Sequence, residues 1–138
     1  MAYWLVKSEP GCWSWADHVK AGTAEWDGVR NHQAANYMKD MKAGDQAFFY
    51  HSVNEKRVVG VLEVVRESYL DPTDDKGKFV CVDFKTVAAV RTPVTLANIK
   101  ANPKLESMAL LRQSRLSVMP VKDAEWAEIL SMAKGLQS

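Results

Sequence analysis

"QAFFYHS-VNEK-RVVGVLEVVRE", residues Gln46 to Glu67, holds two runs of aromatic and β-branched residues around a compact polar turn, Val53 to Lys56. That composition predicts two strands folded back on each other as an antiparallel hairpin. Phe48 and Tyr50 share one strand face while Phe49 and His51 share the other, so at least one pair belongs to the core. Gly60 interrupts the second run and predicts a bulge, or a point where another part of the chain approaches the backbone closely.

Downstream, "DPTDDKGK" (Asp71 to Lys78) has strong turn chemistry and reads as a loop. "FVCVDFKTVAAV" follows as a long strand with Val80, Val82 and Phe84 on one face, punctuated by Pro93. Thr95 caps a short helix that closes before Pro103, and "LESMALLRQ" supplies another helical turn or two. "LSVMPV" returns as a strand. Asp123 is then placed to cap a last helix, on which Trp126, Ile129, Leu130 and Ala133 form an apolar stripe.

Upstream, "YWLVK" reads as a strand ended by the turn cluster Ser8-Glu9-Pro10-Gly11. Ser14, Asp17 three residues later and Gly22 mark the start and stop of a short helix. Ala34, Tyr37, Met38 and Met41 recur at helical spacing and predict an amphipathic helix from about Asn31 to Met41. Trp13, Trp15 and Trp126 are assigned to packing. Five or six strands with short helices between them argue for an α+β fold round a curved, largely antiparallel sheet, with a small barrel as the way to remove the sheet edges.

The chain has 138 residues, enough for one domain with its own core, and a net charge of +1. Phe84 to Lys122 is locally basic, with seven Lys and Arg against the single acid Glu106. Such a segment is compatible with a phosphate-contacting face, although a basic segment is more often simply a solvated surface. Cys12 and Cys81 lie far apart and read as reduced thiols of a cytoplasmic protein. No apolar run is long enough for a bilayer, and the start reads as neither signal peptide nor anchor.

Catalytic signatures are missing. No phosphate-binding glycine loop and no G-x-S-x-G elbow occurs. His18, His32 and His51 have no partner at metal-ligand spacing, and His51 and Ser52, as strand neighbours, point to opposite faces. These features argue against an enzyme, a metal or a cofactor.

"EWDGVRN", Glu25 to Asn31, sets a Trp beside a flexible Gly and two hydrogen-bonding side chains just ahead of a helix. Trp26 is either core or a stacking wall, and Gly28 favours the wall because it lets backbone approach closely. Asn31 serves as a helix cap, and its amide also pairs donor and acceptor with a base edge.

"YWLVKSEP", "WDGVRN", "GDQAFFYHS", "VVGV", "DPT", "LLRQSRLSVMPV" and "EW" stand in the order and at the spacing of EVE-domain proteins. On those blocks the sequence resembles a single EVE domain over residues 1–138. The resemblance implies a PUA-like curved β-barrel of about five or six mostly antiparallel strands flanked by short helices. It also implies kinship with YTH domains, which read a methylated adenine in RNA. The implied function is non-catalytic: recognition of a modified, methylated nucleobase of DNA or RNA in an aromatic-lined pocket. The alternative is binding of a free nucleoside, nucleotide or other flat heterocycle.

For the base pocket the resemblance points to Ser8, Trp26, Val29, Asn31, Tyr50, His51 and Ser52. For the phosphate backbone it points to Lys7, Arg30, Arg112, Ser114 and Arg115, with Gln113 beside them. Lys7 and the two arginines of "LLRQSR" have an ordinary surface reading as well, and His51 reads equally as a buried, satisfied histidine. The sequence departs from the family pattern at His32, where an aromatic such as Tyr is usual, at Ala35, where Arg is common, and in "GCWSW".

Overall fold

A computed structural model describes residues 1–137. The hairpin is present as β3 (Gln46–His51) and β4 (Arg57–Leu70), antiparallel, and β4 continues into the long strand β5 (Val80–Thr95). β1 (Tyr3–Ser8) runs parallel to β3 on its other side, and β6 (Val118–Val121) runs antiparallel to β1. A three-residue strand, β2 (Thr23–Glu25), adds to the free side of β5. The order across the sheet is therefore β2-β5-β4-β3-β1-β6. Nothing in "TAE" announced β2, which is too short to show a period.

Gly60 meets both expectations. The β3–β4 register slips between Phe49 and Tyr50 opposite it, and the β4–β5 register slips between Val58 and Gly60. A Cβ on Gly60 would overlap the Trp15 ring, so the missing side chain is the seat of that indole. Four register shifts along β4–β5 bend these long strands. Pro93 does not end the strand as expected. It lies in Val90–Pro93, a bulged stretch with only Val59 opposite, where Arg91 and Thr92 N–H groups instead donate to Gly135 and Ala133 carbonyls. A residue without an N–H costs little there.

The sheet curves but is not closed into a barrel by hydrogen bonds, because the edge strands β2 and β6 do not pair. Helix α2 (His32–Asp40) fills the seam instead, packing against β4, β5 and β6 and burying Ala34, Ala35 and Met38. Its N-cap is Asn31, whose Oδ1 accepts the Ala34 N–H at 2.9 Å. α1 (Trp15–Ala21) carries the expected capping box between Ser14 and Asp17. α3 (Leu96–Ala101) is capped by Thr95, a 3₁₀ turn and α4 (Ala109–Arg112) follow, and α5 (Asp123–Met132) closes the fold. Asp123 is not the cap of α5: it is the first helical residue, and Glu125 accepts the Lys122 N–H at 2.9 Å. Trp126 stacks between Tyr3 (4.3 Å) and Phe48 (3.9 Å), as a core residue should. No helix among the described residues is long and apolar enough to cross a membrane.

Candidate nucleic-acid interface

The ends of β1 and β2 and the "EWDGVRN" loop enclose a cleft of about 660 Å³. The loop is shaped by one buried carboxylate. Trp26 N–H first continues the β2–β5 ladder by donating to the Val82 carbonyl at 2.7 Å. The chain then turns through Gly28, at φ +77°, a left-handed conformation that glycine adopts without strain. Gly28 N–H donates to Asp71 Oδ2 at 2.8 Å, and Arg30 donates to the same oxygen at 3.0 Å and to Thr73 Oγ1 at 3.0 Å. Thr73 returns its N–H and hydroxyl to Asp71 Oδ1 at 2.7 and 2.6 Å.

Burial alone would raise the Asp71 carboxyl. The bonds from Thr73, Gly28 and Arg30 outweigh it and hold the group at about 2. Asp71 and Thr73 belong to the "DPT" block, so the two sequence blocks are halves of one clamp. Arg30, expected at phosphate, lines the cleft, but its guanidinium is engaged by this clamp and lies over the Phe79 ring at 5.4 Å.

Two indoles wall the cleft. Trp26 meets Phe49 and Phe84 edge to face at 5.4 and 5.7 Å and is only 8% exposed, so it is core and wall together. Trp13 is the more accessible ring, although its place beside a helix start suggested packing alone. Ser8, expected here, fixes Trp13 by donating its hydroxyl to the Trp13 carbonyl at 2.5 Å. Behind the indoles lies His18, fully buried, 6.0 Å from Trp13 and 6.3 Å from Trp26. The Thr86 hydroxyl donates to the His18 carbonyl, so its oxygen is left to accept from His18 Nδ1–H at 2.9 Å. Nε2 then holds a lone pair with no partner among the described residues, and burial lowers the pKa of the ring.

Val29 and Lys7 also line the cleft. Lys7 Nζ donates to the Ser114 carbonyl at 2.9 Å, lies 5.9 Å from the centre of the Tyr50 ring, and has its pKa lowered by burial. Glu9, Cys12, Glu25, Asp27 and Ser117 complete the polar lining and had no place in the expected site. Burial, then Asp71 and Glu25, push the Asp27 carboxyl up.

A second, shallower depression of about 350 Å³ contains Asn31, Gln33, Arg112, Gln113, Ser114 and Arg115. The Lys7–Ser114 bond and the Arg30–Asn31 peptide join it to the cleft. Arg112 and Arg115 are exposed and form no ion pair among the described residues. The Asn31 amide nitrogen is left over once Oδ1 has capped α2.

The structure does not bring Tyr50, His51 and Ser52 into the cleft. β3 runs parallel beside β1, pairing Lys7 with Tyr50 and Ser8 with His51, so Tyr50 is buried beneath the Lys7 ammonium. Burial pushes its phenol up to about 12. His51 Nε2 accepts the Trp15 N–H at 2.9 Å, which leaves Nδ1–H to donate to Glu55 at 2.9 Å, so the ring pins the start of α1. Ser52 N–H donates to the Ser8 carbonyl at 2.9 Å and extends the ladder. All three stand on or just past the end of the strand beside Lys7 and Ser8, outside the cleft lining. His32 packs on Phe79 at 5.1 Å, and Ala35 lies on the buried face of α2, where an arginine would need a different course for its side chain. No group of three or more His, Cys, Asp or Glu that could hold a metal ion occurs among the described residues.

Known proteins share this architecture. Thymocyte nuclear protein 1 of Danio rerio is 35% identical, with 94% of this chain and 71% of the relative aligned. The solution structure of Rpa0253 from Rhodopseudomonas palustris is 52% identical and superposes with a TM-score of 0.93, covering 100% of this chain and 97% of that one. The crystal structure of human thymocyte nuclear protein 1 in complex with DNA containing 5-methylcytosine is 31% identical with a TM-score of 0.88, covering 99% of this chain and all of that one. The EVE domain model matches residues 2–132, and the chain belongs to the EVE domain family.

Proposed function

We propose that this protein is a non-catalytic reader of a modified, methylated nucleobase in DNA or RNA, which takes the base into the cleft and the flanking phosphates onto the arginine depression. The observation that carries the reading is the juncture itself: an indole-walled cleft that opens beside two exposed arginines that pair with no acid among the described residues. A cleft of about 300–1,000 Å³ suits a small flat ligand. Stacking on an aromatic wall contributes roughly 1–3 kcal/mol per base, and a buried methyl adds about 0.8 kcal/mol. The human relative was crystallised with DNA containing 5-methylcytosine, which supports the same ligand class here.

In this reading Ser8, Trp13, Trp26 and Val29 form the base cavity, Asn31 and Lys7 stand at its border, and Arg112, Ser114 and Arg115 take the backbone. Arg30 shapes the cavity more than it contacts phosphate. The protein recognises its ligand and releases it unchanged. Its free thiols, Cys12 and Cys81, suit the reducing cytoplasm.

A second reading, a free nucleoside in the same cleft, is favoured by the three carboxylates in the lining, which need no nucleic-acid chain. Titration of short oligonucleotides with and without 5-methylcytosine or N6-methyladenine, at several salt concentrations, separates the two. A reader binds one methylated oligonucleotide about fourfold more tightly or better, the ratio expected from one buried methyl, and loses affinity steeply with salt. Equal affinity for methylated and unmethylated strands contradicts it. Salt-independent binding of the nucleoside alone, as tight as that of the oligonucleotide, supports the second reading.

A further inference from the structure

The cleft has more acid in its lining than a surface for phosphate would carry. Glu9, Glu25 and Asp27 line it with two cations. Arg30 is paired with Asp71, and Lys7, which donates to the Ser114 carbonyl, leaves one positive charge against the three carboxylates. A phosphate placed inside would face unneutralised carboxylates, so the cleft is built for something uncharged that offers hydrogen-bond donors.

Among the acids Asp27 is the best placed. It directly follows Trp26 in the turn that Asp71 pins through Gly28 N–H, so the backbone holding it is fixed on both sides. Its carboxylate takes no hydrogen bond and no ion pair from any other described residue. Glu9, by contrast, has Cys12 Sγ 3.7 Å away. A carboxylate can only accept, and a keto oxygen set against it is repelled. An exocyclic amino group donates, and cytosine and adenine carry one where thymine and uracil carry oxygen.

We infer that Asp27 reads an exocyclic amino group of the base in the cleft, so that the site takes amino-bearing bases and rejects thymine and uracil. The inference rests on the reading of the cleft as a base pocket. 5-Methylcytosine and thymine are the natural comparison: they share the ring and its methyl group and differ in the 4-amino or 4-keto group and the state of N3.

The test measures affinities for single-stranded oligonucleotides identical except for one central 5-methylcytosine or thymine. Wild type, Asp27→Asn, Glu25→Gln and Trp13→Ala are compared, each checked for a native thermal melt. Wild type is expected to prefer 5-methylcytosine at least tenfold, within the usual range for one well-placed base contact. In Asp27→Asn, whose amide can donate to the keto oxygen, the preference collapses to about twofold or inverts. Glu25→Gln retains it.

Equal affinity of wild type for the two strands overturns the inference, as does a tenfold preference that survives in Asp27→Asn. Should Asp27→Asn not melt like wild type, Asp27→Glu, which keeps the carboxylate, is expected to retain the preference, and its loss there counts against the assignment. If binding is lost in Trp13→Ala but does not distinguish the two strands, this inference fails while the base-pocket reading stands. If binding is unaffected by Trp13→Ala, both fail.

Discussion

The cleft and the arginine depression share a border and are built in opposite ways. In the cleft almost every polar group that shapes the backbone is already satisfied inside the protein: Asp71 holds Gly28 and Arg30, Ser8 holds Trp13, and Val82 holds Trp26. In the depression Arg112 and Arg115 are exposed and uncommitted. The first arrangement pre-organises a shape, which is what discrimination between similar bases requires. The second leaves charge free to follow a flexible backbone, which supplies affinity with little sequence information. The same residue type shows the contrast: Arg30 is locked to a buried carboxylate while Arg112, on the other side of the border, has none.

If that division holds, mutations on the two sides should fail differently. The largest effect is expected from Asp71→Ala, which strands the Gly28 and Thr73 N–H groups and frees Arg30. Arg30 is 40% exposed and can return to water, so the loss should be about 2–3 kcal/mol, below the 3–5 kcal/mol of a fully buried broken pair. Urea unfolding measures the loss. Base preference should vanish, while salt-dependent binding to any strand persists wherever the protein is still folded.

Gly28→Ala comes next. A side chain at φ +77° costs about 1–2 kcal/mol, and the cost should appear in both stability and base affinity without changing the salt slope. Replacing Arg112 and Arg115 together with Ala should leave the melt within about 0.5 kcal/mol, as exposed substitutions do. The slope of log affinity against log salt should shrink by about 0.7 for each phosphate of a single strand that is no longer neutralised. An altered preference for the methylated base in that variant would erase the distinction between the two regions.

The smallest expected effect concerns His18, behind the indole wall. Its pKa in the folded protein is lowered, so the unfolded chain binds a proton first. Its contribution is therefore present above the unfolded value of about 6.5 and is lost as pH falls from there to the folded value. Asp71 behaves likewise much lower, its contribution fading as pH drops from the ordinary Asp range towards about 2. Denaturant melts from pH 8 to 5 should show a decline that His18→Gln lacks.

What was legible in the sequence was what is local. Ser14, Asn31 and Thr95 could be read as caps because a cap and its N–H lie three residues apart. The hairpin and Gly60 could be read because strand period and turn are continuous in the chain. β2 was too short to show. The parallel pairing of β1 with β3 is non-local, and it sets Tyr50, His51 and Ser52 on or just past the end of the strand beside Lys7 and Ser8, outside the cleft lining. Trp13 and Trp26 look alike in sequence, and only the Ser8–Trp13 bond and the packing of Phe49 and Phe84 distinguish an accessible wall from a nearly buried one. Asp71 stands in the "DPT" block with no legible role of its own, since its partners lie 41 and 43 residues away.

The central claim, that the methylated base enters the cleft, has a reporter within the site. Cys12 is exposed and lines the cleft, whereas Cys81 is buried and serves as the internal control. Alkylation of Cys12 should slow sharply when a methylated oligonucleotide is bound and much less with the unmethylated strand at equal concentration, while Cys81 stays unreactive throughout. An unchanged Cys12 rate at saturating methylated oligonucleotide would contradict the account and put the base elsewhere on the protein.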